Sequence, residues 1–280
     1  MRILLKNRSL LKISGNDAEE FLQNQFTNDI KKLDSKNVQF NAYCQHQGKV
    51  IAFFWVMRMD EDFLLSFPDD LLEKVKSRLQ MFVIMSDVII EDISDSYSQI
   101  GLINEMQLNS FCINDKLSIL IEARNNQHDS IMKDNHAWTR VCIDSLLPDV
   151  YSITSEKFVP QMLNLDIDEI GVNFSKGCYP GQEVVARSQY RGAIKRRLYL
   201  AQVEIALAHA GPATEVVHED DPNQPAGMVV LSAQHPTQTG LVTLQIECKS
   251  ELAQSGKLHL GKADGPALQL GNLPYSLIEI

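Results

Sequence analysis

Cys178 is the residue of this 280-residue chain whose neighbours best equip it for chemistry. It stands in Lys176-Gly177-Cys178-Tyr179-Pro180-Gly181-Gln182-Glu183, where two glycines and a proline bracket one thiol. Gly177 and Gly181 can take backbone conformations closed to other residues, Pro180 fixes its own φ, and Tyr179 before it is biased toward an extended form. A tight turn is expected. From Gln182 the chain reads as a short helix, with Glu183 in the first turn, where the dipole favours an acid, and Gly192 as the stop. Cys178 would then face the positive end of a helix beside Lys176, and both features favour thiolate over thiol. The chemistry expected is that of a partly exposed, reactive sulfur. An isolated cysteine is ordinarily a small buried hydrophobe, but packing alone does not require Gly, Pro and Gly around it. Tyr179, Gln182, Glu183 and Arg187 are candidates to support the thiol; Glu183 with Arg187 reads equally as an ordinary i,i+4 pair worth about 0.3 kcal/mol.

The remaining cysteines point away from permanent metal. Cys44, Cys112, Cys142, Cys178 and Cys248 are odd in number, scattered, and nowhere spaced as Cys-x-x-Cys. That argues against a disulfide framework and against a self-contained zinc or iron-sulfur site. Cys44 and His46 form the one close thiol-imidazole pair, too little to predict a metal. Charge narrows the partners. The formal net charge is −10, which disfavours general attraction to nucleic acid or anionic membranes. Between Lys176 and Arg197, however, six cations face Glu183 alone, so this window carries +5 and the rest of the chain −15. The window fits a small anionic ligand or a phosphate contact, and fits equally a solvated helix face followed by a basic edge strand.

The elements that position these residues follow from periodicity. The apolar share of 44% supports an ordinary core, and the longest apolar run, Val50 to Met57, is strand-sized. No membrane span is expected, and residues 1–8 lack a secretory signal, so a cytoplasmic location is expected. Ile3 to Lys6 and Leu10 to Ser14 read as extended; Asn16 or Asp17 would cap a helix burying Ala18, Phe21, Leu22 and Phe26. Val38 to Cys44 alternates, turns at Gln47-Gly48 and returns as the strand Lys49 to Met59. A strand Phe63 to Phe67 leads to a helix with Leu71, Leu72, Val75, Leu79 and Phe82 inward, then to a strand Val83 to Ile90. Short strands are expected near Ile100 to Ile103 and Leu117 to Glu122. Beyond the Glu183 helix, strands broken by Gly and Pro run from Arg197 to Ile280. This predicts an α+β fold: residues 1–200 form the larger domain, divided near 95–115, and residues 201–280 a β-barrel or sandwich.

The octapeptide at Lys176 resembles the signature of the YgfZ family, folate-binding proteins related to the aminomethyltransferase T-protein of the glycine cleavage system. The likeness continues through Val185-Ala186-Arg187, Arg191-Gly192 and Lys195-Arg196. It also takes in Gly48-Lys49, Phe158-Val159-Pro160-Gln161 with Asn164-Leu165, and Leu273-Pro274-Tyr275-Ser276-Leu277. The resemblance implies α+β subdomains arranged as a ring with a C-terminal β-barrel, around a cavity for tetrahydrofolate or a related reduced folate. It implies work in iron-sulfur cluster assembly or repair, with iron-sulfur enzymes, assembly proteins and tRNA-modifying enzymes as partners. By the same resemblance Trp138, before Ile143-Asp144 and Pro148, becomes a folate candidate, Asp144 replaces a glutamate with a shorter arm, and Arg8 stands near a second tryptophan position. A pterin ring can stack on an indole, although a core role suits Trp138 as well. Trp55 is assigned to the core. Lys195, Arg196 or Arg197 would meet the carboxylate tail, and Arg196 is the residue chosen. An aminomethyl transferase is the alternative, but Gly48 to Phe53, where the relative places a catalytic aspartate, holds no carboxylate. Direct tRNA binding by the basic window is a third reading, opposed by the acidic surround.

Overall fold

The computed structural model describes residues 1–124, 131, 136–190, 194–273 and 275. Three antiparallel sheets organise them. The first has the order β3-β4-β5-β2-β6 and is built from β2 (Arg8–Ser14), β3 (Gln39–Cys44), β4 (Val50–Met59), β5 (Asp62–Pro68) and β6 (Ile89–Asp92). β4 is buried along eight residues from Val50 to Met57, so its unbroken apolar run reflects cover on both faces. The second sheet, β1-β7-β9-β8, joins the N-terminal β1 (Arg2–Leu4) to β7 (Tyr97–Ile103), β8 (Phe111–Asn114) and β9 (Leu117–Ala123). The third, β14-β11-β12-β13-β10-β15, contains β10 (Arg196–Glu204), β11 (Glu215–His218), β12 (Asp221–Gln234), β13 (Leu241–Lys249), β14 (Leu258–Leu260) and β15 (Gln269–Leu270). It curls around its own apolar core to form the C-terminal barrel, and an isolated bridge between His259 and Ala267 draws its two edges together. β10 starts at Arg196 and runs across position 201.

Five α-helices accompany the sheets among the described residues: α1 (Ala18–Gln25), α2 (Leu72–Gln80), α3 (His136–Asp144), α4 (Gln182–Tyr190) and α5 (Ser250–Ala253). α1 buries Ala18, Phe21 and Leu22 as its spacing predicts. Its N-cap residue, Asp17, makes no cap bond; the carboxylate accepts from the Asp87 N–H at 2.7 Å and fastens the neighbouring loop. The strand expected from Val83 forms only from Ile89. Residues 83–88 are a loop, with Ile84 and Met85 exposed and Met85 at φ 64. Phe82, expected inward, is 37% exposed because α2 has already ended. α3, which carries Trp138, has no counterpart among the expected elements. It lies on β12 and β13, where the buried amide of Gln245 donates to the carbonyls of Cys142 and Leu147 at 3.2 Å. That contact satisfies carbonyls that a helix end otherwise leaves orphaned.

Candidate functional site

The thiol turn is held by its inward-pointing members. Lys176 is buried, and its ammonium donates to the carbonyls of Gln23 and Phe26 at 2.6 Å and of Asn28 at 2.9 Å, at the C-terminal end of α1. Burial lowers its pKa to about 8, with Asp29 and Glu20 opposing. A cation here satisfies orphan carbonyls and suits the negative end of the helix. The expected role beside the sulfur is therefore corrected: the charge is spent on α1, and its second contact is the Tyr179 ring, 5.4 Å away. Tyr179 is also buried, beside Cys44, and burial raises its pKa. Between these anchors Gly177 and Cys178 are exposed. Among the described residues the Cys178 sulfur makes no hydrogen bond.

The two glycines differ in purpose. Gly181 has φ +85, and a Cβ there would stand 2.5 Å from the Gln45 carbonyl oxygen and 2.8 Å from the Gly48 Cα. Gly48, at φ +74 in the β3–β4 turn, faces Val184 of α4, whose Cβ would stand 3.0 Å from a Cβ built there. Thus the start of α4 and the hairpin turn interlock through Gly181 and Gly48. Gly177 meets nothing within 4 Å of a built Cβ and has no positive φ, so the local fold does not require glycine there. Pro180 is half-buried in the turn, and Gln182 begins α4 with its N–H bonded to the Tyr179 carbonyl at 3.2 Å. Glu183 and Arg187 are both exposed, and no ion pair joins them among the described residues. Arg191 and Gly192 lie outside the described residues.

Two cavities lie elsewhere, on one face of β4. Trp55 lines the smaller, about 110 Å³, and Phe53, two residues back along the strand, lines the larger, about 300 Å³. Leu147 and Pro148 border both. In the smaller cavity Trp138 meets Trp55 with ring centroids 5.8 Å apart. Its indole lies on Gly101 of β7, where an added Cβ would come within 2.5 Å of it. The Arg8 guanidinium also packs on Trp55, 4.2 Å from the ring centroid, and forms a buried ion pair with Asp149. Burial raises the Asp149 pKa, against the pull of Arg8. Trp55 is thus both core, at 1% exposure, and wall.

The larger cavity is lined from all three parts of the chain: Phe40 and Phe53 of the first sheet, Ile113 and Asn114 of the second, and Tyr275 after the barrel. The Pro160–Leu163 turn and the residues after it complete it. Nine described non-glycine residues have positive φ, and three of them, Leu146 (φ 50), Asn164 (φ 57) and Asp168 (φ 50), line this one cavity. Strained backbone of this kind collects where function over-determines it. Asn164 is the joint. Its Nδ2 donates to the Leu198 carbonyl and the Tyr275 hydroxyl at 2.9 Å, and its Oδ1 accepts from the Leu198 N–H. Gln161 reaches from the same turn to the Val185 carbonyl of α4 at 2.7 Å.

Trp138 lines the smaller cavity. Two expectations change at these cavities. Asp144 lines neither: it is exposed and paired with Arg140, one helical turn back, at 2.9 Å. Arg196 lines neither either, because its guanidinium is fixed by Glu247 and donates to the Ala226 carbonyl at 3.1 Å. Arg197 is likewise buried against Asp166 at 2.6 Å. Nor does Cys178 line either cavity, so the turn and the hollows are separate features. Cys44 is buried at the end of β3 while His46 is exposed in the turn, and no group of three metal-ligating side chains occurs among the described residues. Sequence reasoning missed Phe40, Phe53, Leu146 and Asp168. Phe40 carries a weak alternation signal; Phe53, inside an unbroken apolar run, and the left-handed residues carry none.

The profile of the GCVT N-terminal domain family matches residues 6–103. The chain is 30% identical to an uncharacterized protein of Haemophilus influenzae, with 99% of each chain covered. It is 25% identical to the tRNA-modifying protein YgfZ of Sodalis glossinidius and 26% identical to that of Photorhabdus laumondii, each time over 99% of this chain and 93% of the relative. The solved aminomethyltransferase T of the glycine cleavage system from Bartonella henselae superposes with a TM-score of 0.71 at 12% identity, over 98% of this chain and 85% of that one. That last likeness is one of fold. With end-to-end similarity to these relatives, the chain belongs to the YgfZ family.

Proposed function

We propose that this protein is a folate-binding factor of tRNA modification, whose exposed Cys178 handles sulfur or iron during the upkeep of clusters used by modifying enzymes. The larger cavity carries the folate reading. Its volume of about 300 Å³, aromatic walls and few polar groups fit one flat heteroaromatic ring. Phe40 and Phe53, themselves stacked at 5.5 Å, would offer that ring one aromatic wall. Bound tetrahydrofolate, or a related reduced folate, would supply one-carbon or redox chemistry; the chain supplies shape and orientation. The process is suggested by the relatives, which are called tRNA-modifying proteins. A lone thiol suits transient ligation or exchange, since a resident cluster needs about four ligands.

The aminomethyltransferase reading is weaker. Gly48 to Phe53 contains no carboxylate, and the hairpin turn at Gly48 is filled by Val184 and Gly181, leaving no room there for an amine donor. Direct tRNA binding loses support too. Lys176, Arg196 and Arg197 are committed inside the protein, so Arg187 and Lys195 are the solvent-facing cations of the window among the described residues.

Calorimetric titration with 5-formyltetrahydrofolate tests the first half of the proposal, and tRNA modification in cells carrying Cys178→Ala tests the second. Binding should be unchanged in the variant while cluster-dependent modification falls several-fold. No heat of binding at millimolar ligand removes the folate reading. A stoichiometric cluster retained by the chain alone removes the transient role of Cys178, and folate-dependent formaldehyde release from a glycine-type donor reinstates the transferase.

A further inference from the structure

We infer that the apolar loop between α2 and β6 is the centre of an interface with a second copy of this chain. Five of the twelve large apolar residues that are exposed among the described residues fall within nine positions there: Met81, Phe82, Ile84, Met85 and Ile89. Together they offer on the order of 500 Å² of apolar surface, the size of the largest patch a monomer ordinarily leaves in water and more than half of the roughly 800 Å² that each side of a standard interface buries. The loop is also held in shape. The Asp87 N–H donates to the Asp17 carboxylate at 2.7 Å, its carbonyl accepts from the Asp17 N–H at 3.1 Å, and its own carboxylate accepts from the Asn16 amide at 2.7 Å. Met85 keeps a left-handed φ of 64 with its side chain wholly in solvent, so packing within the chain does not offset that conformation. A patch ordered in advance loses little freedom when it is covered.

The charges flanking the loop identify what covers it. On the α2 side Lys76 and Arg78 pair with no carboxylate among the described residues, and the Arg78 guanidinium lies 6.0 Å from the Phe82 ring centroid. On the β6 side Asp17, Asp87, Glu91 and Asp92 are exposed, and none pairs with a cation among the described residues. Glu91 stands opposite Lys12, but that ammonium is taken by Asp62 at 3.2 Å. A two-fold axis through the loop exchanges the flanks. Each copy then sets its free cations against the other's free acids, with loop against loop between them. An anionic membrane fits the same surface poorly, because its headgroups would meet four carboxylates.

Sedimentation velocity on the full-length protein from about 1 to about 200 μM tests this. The wild type should pass from monomer to dimer within that range. Ile84→Glu combined with Met85→Asn alters only exposed side chains and places at φ 64 a residue at ease there, so the thermal midpoint should hold while the dimer weakens at least about tenfold. Lys76→Glu and Glu91→Lys should each stay monomeric alone. An equimolar mixture of the two should dimerise, because in the mixed pair each flank meets its opposite again. A wild type that remains monomeric throughout overturns the inference, whether or not it sediments with vesicles of anionic phospholipid. A dimer that survives the Ile84→Glu, Met85→Asn change lies on another face and overturns it equally. If the charge variants dimerise alone, or their mixture does not, the exchange of flanks is wrong and a second copy is not what this loop fits.

Discussion

The thiol turn divides its residues by direction: Lys176 and Tyr179 point inward and Cys178 between them points out. That division makes the five cysteines unequal. Burial raises the pKa of the Cys44 and Cys142 thiols beyond the reach of ordinary buffers and that of Cys248 to about 12, so none of the three forms thiolate near neutrality. Brief alkylation of the native protein at pH 8 should therefore label Cys178 first and half-buried Cys112 second, with the other three labelled only after unfolding. Peptide mapping by mass spectrometry checks this, and early labelling of Cys44 would show that the turn opens. Lys176 is the anchor whose loss should cost most. Lys176→Met strips three buried carbonyls of their donor and should lower stability by roughly 2–4 kcal/mol, whereas Cys178→Ala should change it by no more than about 0.5 kcal/mol. Chemical denaturation compares the two, and an equal effect would mean that the exposed thiol bears structure.

At the scale of elements the site depends on two joints. One is the interlock of α4 with the β3–β4 turn, where Gly181 and Gly48 approach each other. Gly181→Ala combines a left-handed residue with a clash against backbone and should destabilise by more than about 2 kcal/mol. Gly177→Ala, which meets nothing, should stay within about 0.5 kcal/mol of the wild type. Thermal unfolding of the pair separates space from conformation, and similar losses would contradict the interlock. The second joint is the Pro160–Leu163 turn with Asn164, which ties α4, β10 and Tyr275 to one wall of the larger cavity. In the sequence that segment is a weak motif with no assignable task. Folded, it fastens the helix that follows the thiol turn and the barrel to the same short turn.

At the scale of the molecule the larger cavity belongs to no single sheet, and a ligand in it touches all three parts of the chain. Saturation should therefore stabilise the protein as a whole. At a hundredfold excess over Kd, 5-formyltetrahydrofolate should add about 2.7 kcal/mol to unfolding. Hydrogen exchange should slow in β4, in β8 and around Tyr275 together. Protection confined to β4 would place the ligand in the smaller cavity, between Trp55 and Trp138. Among the described residues no helix is long and apolar enough to cross a membrane.

The sequence by itself determined the turn around Cys178, the α4 helix, most strands of the three sheets and the family. These rest on local chemistry: Gly and Pro in a short stretch, alternation along strands, and apolar spacing along α1. It did not reach the early end of α2 or the loop at residues 83–88, because apolar residues there follow a periodic pattern that tertiary packing does not use, nor α3, whose Trp138, Cys142 and Ile143 are buried by packing on the barrel. The destinations of the charges were decided by the tertiary structure alone. Lys176 and Arg196 look available in a linear reading, yet each finds a partner, a set of carbonyls or a carboxylate on another strand, that only folding brings near. The reverse holds for Asp168, whose left-handed backbone and place in the cavity wall leave no trace in its neighbours' identities. Backbone conformation and long-range pairing depend on residues far apart in the chain, and a string of side chains does not encode them locally.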